Sequence, residues 1–399
     1  MTDVTEGRSG PSGSSGPAGR GLIGALGTGR LARIDARGRL GFDGSSVQLG
    51  WWIGAEDRWH RSEDEVAVRQ RRIEAAPAYE TAMRIPSGDA VARVWAIGAP
   101  GEPVIVEIEN QSPAPMVAAL VLHPMASGAD VGADDAVRLD RGTELVLHRP
   151  ARVSVRAADP VALVGALEAG APSGGSGPYL ALLQPVAHRT VMRAAVFLNP
   201  RARSDLDLAS VPDADAAGGG WRAVASAAMQ IVVADPARQE VIDRARVDTL
   251  LRAGTADVDG DVFGALEDWG FDDEARTVWR RLSWRARRRA RHRAAPDPTT
   301  AAGVLRAARD SVIIERDDAT VELVPAPPPA GAAVEVHDAP LRTGSVSFAL
   351  RWHGDRPALL WDVRAPTPRR LVAPSLDPAW STDQPSGEAL LAPAGASAR

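Results

Sequence analysis

No cysteine occurs among the 399 residues, which excludes disulfides, thiolate metal ligands and cysteine nucleophiles. Lysine is absent too, so all 46 basic residues are arginine. That excludes a lysine Schiff base, a pyridoxal-phosphate lysine and a Walker-type lysine. No apolar run reaches the ~18 residues of a membrane helix, and the Gly/Ser/Pro-rich start lacks the ~7–15-residue apolar stretch of a secretory signal. A cytoplasmic protein without membrane contact is the expectation. The net charge of −5 argues against nucleic-acid binding by bulk charge. Tyrosine is scarce, two residues against eleven tryptophans. Tryptophan is large and carries a single donor, so it serves as a core anchor or as a stacking platform.

What is present reads mainly as strand. Apolar residues alternate through Arg30–Phe42, Val66–Ile73, Ala78–Ile85 and Ala90–Ile97, with turn residues such as Pro77 and Ser87-Gly88 between them. Val104–Glu109 (VIVEIE) has period two and reads as half-buried, while Val117–Leu122 is continuously apolar, as in a sandwich core. Strands resume at Val137–Ala157, Tyr179–Leu198 and Trp221–Val233, with 165–178 and 209–220 read as loops. Helical period is confined to about 236–316. Asp235-Pro236 opens a helix to Ala253, Asp261 is the expected cap of a second ending at Gly270, Asp272 opens a third, and Ala301–Val312 is a fourth. Residues 345–363 form the clearest hairpin, turning at Gly354-Asp355, which predicts burial of Trp352 and Trp361.

The fold class is therefore mainly β with a short helical insert: a large antiparallel β-sandwich plus a small C-terminal β-domain. The division reads as a disordered lead at 1–27, a sandwich domain at 28–234, an abbreviated helical segment at 235–316, a C-terminal β-domain at 317–384 and a frayed tail at 385–399.

Several chemistries fail on spacing. The glycines of 21–27 do not fit a dinucleotide fingerprint and precede the strands instead of following one. No Ser stands in G-x-S-x-G, and no two of the seven histidines are four apart, so neither a metal nor a cofactor is expected. Asp257, Asp259 and Asp261 have the first spacing of a calcium loop, but Val262 replaces the sixth-position glycine and Asp268 the twelfth-position glutamate. A solvated loop with a capping aspartate fits them better. The arginine run 285–293 is either a grip for phosphate or anionic lipid or the solvated end of a helix.

The densest aromatic cluster is WWIGAEDRWH at 51–60. Sugar rings have apolar faces that stack on indole, and their hydroxyls bond to carboxylates and guanidinium groups. Trp51, Trp52, Trp59, Arg58 and His60 are therefore candidate carbohydrate-binding residues. The alternative is that the tryptophans are core and the ions solvate a turn; both readings stay open.

Six stretches, in three groups, carry a resemblance. LGWWIGAEDRWH with RQRRIEAAPAYETAMRIPSGDAVARVWA and VIVEIENQSPAPMVAALVLHP resemble the amino-terminal β-sandwich of actinobacterial proteins related to six-hairpin glycosidases. EVHDAPLRTGSVSFALRWHGDRPALLWDV and LDPAWSTDQPSGEALLAP resemble the small β-domain that closes those proteins, and DVFGALEDWGFDDEARTVWRRL resembles a fragment of their helical toroid. The resemblance implies carbohydrate chemistry in an (α/α)₆ barrel of twelve helices, which needs upward of about 200 residues. The helical stretch has room for at most four. Hydrolysis needs two carboxyl groups ~5–9.5 Å apart across the scissile bond. The candidates are Glu267 and Asp268 in the helical part and Glu56 and Asp57 in the Trp loop, each pair adjacent in sequence.

The first expectation is a glycosidase-like carbohydrate protein, binding or scaffolding without hydrolysis. The second is an active glycoside hydrolase using those carboxylates. The third is a scaffold that binds a protein partner, or a second copy of itself, through apolar surface left by the missing helices.

Overall fold

The computed structural model describes residues 21–125, 136–140, 142–203, 205–291 and 295–392. Two sheets form the amino-terminal sandwich. The nine-stranded sheet orders Gly21–Ile23, Ala32–Ile34, Leu40–Phe42, Gln48–Gly54, Met116–His123, Tyr179–Val186, Val153–Ala157 and Gly174–Gly175, with Trp59–Arg61 branching from Gln48–Gly54. The seven-stranded sheet orders Ala136–Asp140, Thr143–Leu147, Val191–Phe197, Pro103–Asn110, Gly88–Ala96, Tyr79–Ile85 and Val68–Arg72. Met116, Ala118, Leu120 and Leu122 face Val104, Val106 and Ile108 in the core between them, as the side-chain period of two dictates.

Both sheets are also buried on their outer faces. Pro103–Asn110, read as half-buried, puts Ile105 into a second core and leaves Glu107 only 6% exposed. The Glu107 charge is taken up by Arg193 at 2.6 Å and Arg93 at 3.6 Å, the pairing a buried carboxylate requires.

Helical structure extends beyond the expected segment. The helices are α1 (Pro160–Glu168), α2 (Ala214–Ser226), α3 (Pro236–Gly254), α4 (Gly260–Trp269), α5 (Asp272–Arg281), α6 (Trp284–Arg291) and α7 (Ala301–Val312). The first two occupy segments read as loop and strand. Asp159 and Asp213 cap them by accepting from the amides of Ala162 and Ala216. Trp221 starts no strand; it is the buried anchor of α2, and Trp95 Nε1 donates to the Pro212 carbonyl just ahead of that helix. Among the described residues five helices, not four, lie between 236 and 312, because Leu282 is extended (φ −63°, ψ 137°) and separates α5 from α6. The cap of α4 is Asp259 instead of Asp261, accepting from the amides of Asp261 and Val262. Gly270 closes that helix at φ +82°, a conformation that favours glycine.

The C-terminal unit stacks a five-stranded sheet (Gln230–Val233, Val334–Pro340, Ser345–His353, Arg356–Arg364, Ser386–Leu390) and a four-stranded one (Ile313–Glu315, Thr320–Leu323, Arg370–Ala373, Asp377–Thr382). Gln230–Val233 thus leaves the sandwich domain and pairs with Val334–Pro340. The 345–364 hairpin turns at Gly354-Asp355 as expected. Trp361 is buried, while Trp352 is half-buried and donates to the Ala332 carbonyl.

Both ends dock further than composition implied. Ser386–Leu390 pairs with Arg356–Arg364, and Leu391 is 2% exposed. Gly21–Ile23 pairs with Ala32–Ile34 and buries Ile23 completely. A few apolar residues on a sheet edge suffice, because the ladder satisfies their backbone groups. Residues 1–20 and 393–399 lie outside the described residues. One core cluster joins Ile105 and Trp95 of the sandwich, Leu250 of α3, Trp269 of α4, Leu305 of α7 and Phe348 of the C-terminal hairpin. Among the described residues no helix is long and apolar enough to cross a membrane.

Candidate functional site

The Trp loop is placed by Gln48–Gly54 and its neighbour Trp59–Arg61. Adjacent strand residues point to opposite faces, so Trp51 enters the inter-sheet core and Trp52 the outer face beneath α1. Trp51 and Trp52 are 2% and 1% exposed, which is the core reading of the two left open. Their donors are used internally: Trp51 Nε1 bonds the Arg37 carbonyl, and Trp52 Nε1 bonds Glu63. Trp59 is half-buried and packs against the Trp52 cluster.

The ions beside them staple the turn. His60, buried, presents Nε2 to Asp57 at 2.8 Å and Nδ1 to Glu65 at 3.0 Å. Arg58 reaches the same Glu65 oxygen at 2.6 Å. The hydrogen bond from His60 holds the Asp57 carboxyl below its ordinary range. Burial works against ionisation of Glu65, but the bonds from Arg58 and His60 outweigh it and hold that carboxyl low as well. Glu56 is exposed and accepts from Ser87. Glu56 and Asp57 thus have separate partners. Among the described residues, no group of three or more His, Asp or Glu has metal-holding geometry.

Glu267 and Asp268 meet a different environment. They line a cleft of about 1160 Å³ built from one face of each of three helices. Gly260, Phe263, Gly264, Glu267 and Asp268 follow the helical period along α4, and Asp272, Ala275, Arg276 and Trp279 follow it along α5. Ala286 and Ala290 of α6 close the third side. At Gly260 the two helices are close: a Cβ there would stand 3.1 Å from that of Ala290, a tight contact that α6 would have to yield to by a few tenths of an ångström. Phe263 and Trp279 form the apolar wall, their rings 4.8 Å apart and tilted by 44°. Arg287 lies over the Trp279 ring at 5.3 Å and donates to the Trp279 carbonyl at 2.9 Å. The arginine run therefore turns Arg287 inward, while Arg285 and the preceding Trp284 stay exposed.

Arg306 of α7 is only 3% exposed. Its Nη1 bonds Asp261 at 2.9 Å and its Nε lies 3.7 Å from Asp268. Of the three spaced aspartates, Asp259 is thus the cap of α4 and Asp261, in its first turn, an ion-pair partner of Arg306. The sequence signalled Glu267 and Asp268. It did not signal Phe263, Arg306 or Arg342 as cleft residues; the period along α4 marks Phe263, but the other two arrive from α7 and from the turn between Val334–Pro340 and Ser345–His353.

Comparison with protein-family models finds no match to this chain, and comparison with curated proteins finds none either.

Proposed function

We propose that this protein binds a carbohydrate in the α4–α6 cleft without hydrolysing it. The observation that carries the reading is the Phe263–Trp279 wall standing over carboxylates and guanidinium groups in a single cleft. A sugar offers an apolar ring face to such a wall and hydroxyls to such a floor. The reading moves the expected binding surface away from Trp51 and Trp52, and it agrees with the glycosidase-like resemblance of the chain. Glu267 and Asp268 are adjacent on one helix, so they point about 100° apart. Asp268 is engaged by Arg306. Neither feature provides the facing pair that hydrolysis requires.

Calorimetry and tryptophan fluorescence against a panel of oligosaccharides test the proposal. Binding near millimolar, about −4 kcal/mol, is expected, with loss in Trp279→Ala and retention in Trp59→Ala. Binding that depends on Trp59 and ignores Trp279 would return the site to the Trp loop. Hydrolysis of aryl glycosides that Glu267→Gln abolishes would make the protein an enzyme, and hydrolysis abolished by Glu56→Gln would do so through the other loop.

A further inference from the structure

Helix α6 has two faces with different work. Its inner face serves the cleft, where Ala286 and Ala290 line the wall and Arg287 lies over Trp279. Its outer face carries Trp284 and Arg288, neither of which lines the cleft, and Arg285 stands at the lip between the two. Positions 284 and 288 are four apart and so share a side of the helix; the Arg288 guanidinium lies 6.0 Å from the Trp284 ring. Of the eleven tryptophans, the other ten are buried or half-buried, whereas Trp284 is 71% exposed. Leaving that much indole in water is unfavourable, which marks the ring as a contact waiting for a partner.

The charge around that ring has one sign. Nine arginines and no acidic residue lie between 276 and 293, in a chain whose net charge is −5. On the sheets, the exposed Arg69, Arg71 and Arg351 are each paired, with Asp89 at 2.6 Å, Glu80 at 2.8 Å and Glu335 at 2.7 Å. Arg280, Arg285 and Arg288 are exposed as well, and among the described residues they have no carboxylate partner. Their complement is an anionic partner. A single-stranded nucleic acid takes a positively charged groove with successive aromatic platforms. Here the second ring, Trp279, is turned into a cleft with five carboxylates against four guanidinium groups, which does not attract a phosphate backbone. A bilayer surface needs only a protruding aromatic residue, which settles at headgroup level, with cations around it.

We propose that the outer face of α6 docks peripherally on an anionic phospholipid bilayer, with Trp284 entering at headgroup level and Arg280, Arg285 and Arg288 meeting lipid phosphates. The net negative charge of the chain does not oppose this, because a Debye length of about 8 Å screens the patch from distant acidic residues. The expectation of no membrane contact rests on the lack of a spanning or signal segment, and this surface needs neither. About fivefold attraction per arginine, with one inserted indole, gives reversible attachment. It holds whatever the cleft binds.

The test is flotation of the full chain with vesicles of phosphatidylcholine alone and of equal parts phosphatidylcholine and phosphatidylglycerol. Binding is expected to the anionic vesicles only, falling steeply as salt rises from about 0.05 to 0.5 M. Trp284→Ala should weaken it about tenfold and Arg288→Gln about fivefold, with melting temperatures unchanged because both side chains are exposed. In the parent, acrylamide quenching of tryptophan fluorescence should drop when anionic vesicles are added, since Trp284 is the ring that water reaches. Equal binding to both vesicles, no binding to the anionic ones, or anionic binding that neither variant weakens overturns the proposal. Unchanged quenching overturns it even where a variant fails to fold. So does a single-stranded oligonucleotide that binds more tightly than the vesicles and loses that advantage in both variants, which makes the face a nucleic-acid surface.

Discussion

Two regions of this protein carry the same ingredients and use them oppositely. The 51–65 loop and the α4–α6 cleft each bring tryptophan, paired carboxylates and arginine within a short stretch. In the loop, the strand period drives Trp51 into one core and Trp52 into another, and the ions close on one another around His60. In the cleft, the helical period sets Phe263 and Trp279 on faces with too little neighbouring chain to cover them. Composition alone therefore does not make a binding surface. What matters is whether the local period points an aromatic ring at chain that is already there.

The largest effect that separates the regions is on stability. Trp52→Ala removes a fully buried ring and should cost about 3–5 kcal/mol in urea unfolding. Trp279→Ala, at a half-buried rim, should cost no more than about 1.5 kcal/mol and act on ligand affinity instead. Equal losses would erase the distinction. Arg306→Gln comes next. It strips the counter-charge from Asp261 and Asp268, and because Asp261 is 43% exposed water relieves part of the penalty, leaving about 2 kcal/mol. A loss near zero would mean that the cleft floor does not depend on this pair.

These outcomes follow the line between what the sequence discloses and what it does not. Local signals were sufficient where one element decides its own state. Asp235-Pro236 opens α3, Gly270 ends α4, and Gly354-Asp355 turns the 345–364 hairpin. The same Asp-Pro signature opens α1 at Asp159-Pro160, but the small residues that follow it read as loop. The glycines at 218–220 concealed α2 in the same way; Gly218 lies against Ile73 and Glu74 of the sandwich, a contact that gives its small size a purpose. For the candidate site, the α4 and α5 residues are legible as helical faces. Arg306 and Arg342 are not, because they are brought in from segments distant in sequence. Nor does the sequence show that α1 covers Trp52.

The smallest effect is a difference in pH dependence. Asp57 and Glu65 in the loop titrate below their ordinary values of 3.8 and 4.5. A carboxyl whose folded pKa is depressed contributes stability that is fully present above its unfolded pKa and is lost as pH falls through the folded one. The loop pair should therefore steepen the loss of melting temperature below about pH 4.5, and Glu65→Gln should flatten that limb while changing little at pH 7 beyond the lost bonds. Asp248 has the opposite sign. Burial raises its carboxyl above 3.8, against the pull of Arg72, Arg244 and Arg252. The folded state then binds the proton more tightly than the unfolded chain, so stability falls as pH rises from 3.8 through the raised value. Asp248→Asn removes that loss, and its melting temperature should gain on the parent as pH climbs from 3.8 through the raised value. Melting curves at half-unit steps between pH 3 and 8 decide the matter. If both variants move the curve in the same direction at the same pH, the loop carboxylates and Asp248 occupy equivalent environments, and the contrast between an ion-stapled turn and a carboxylate governed by its burial does not hold.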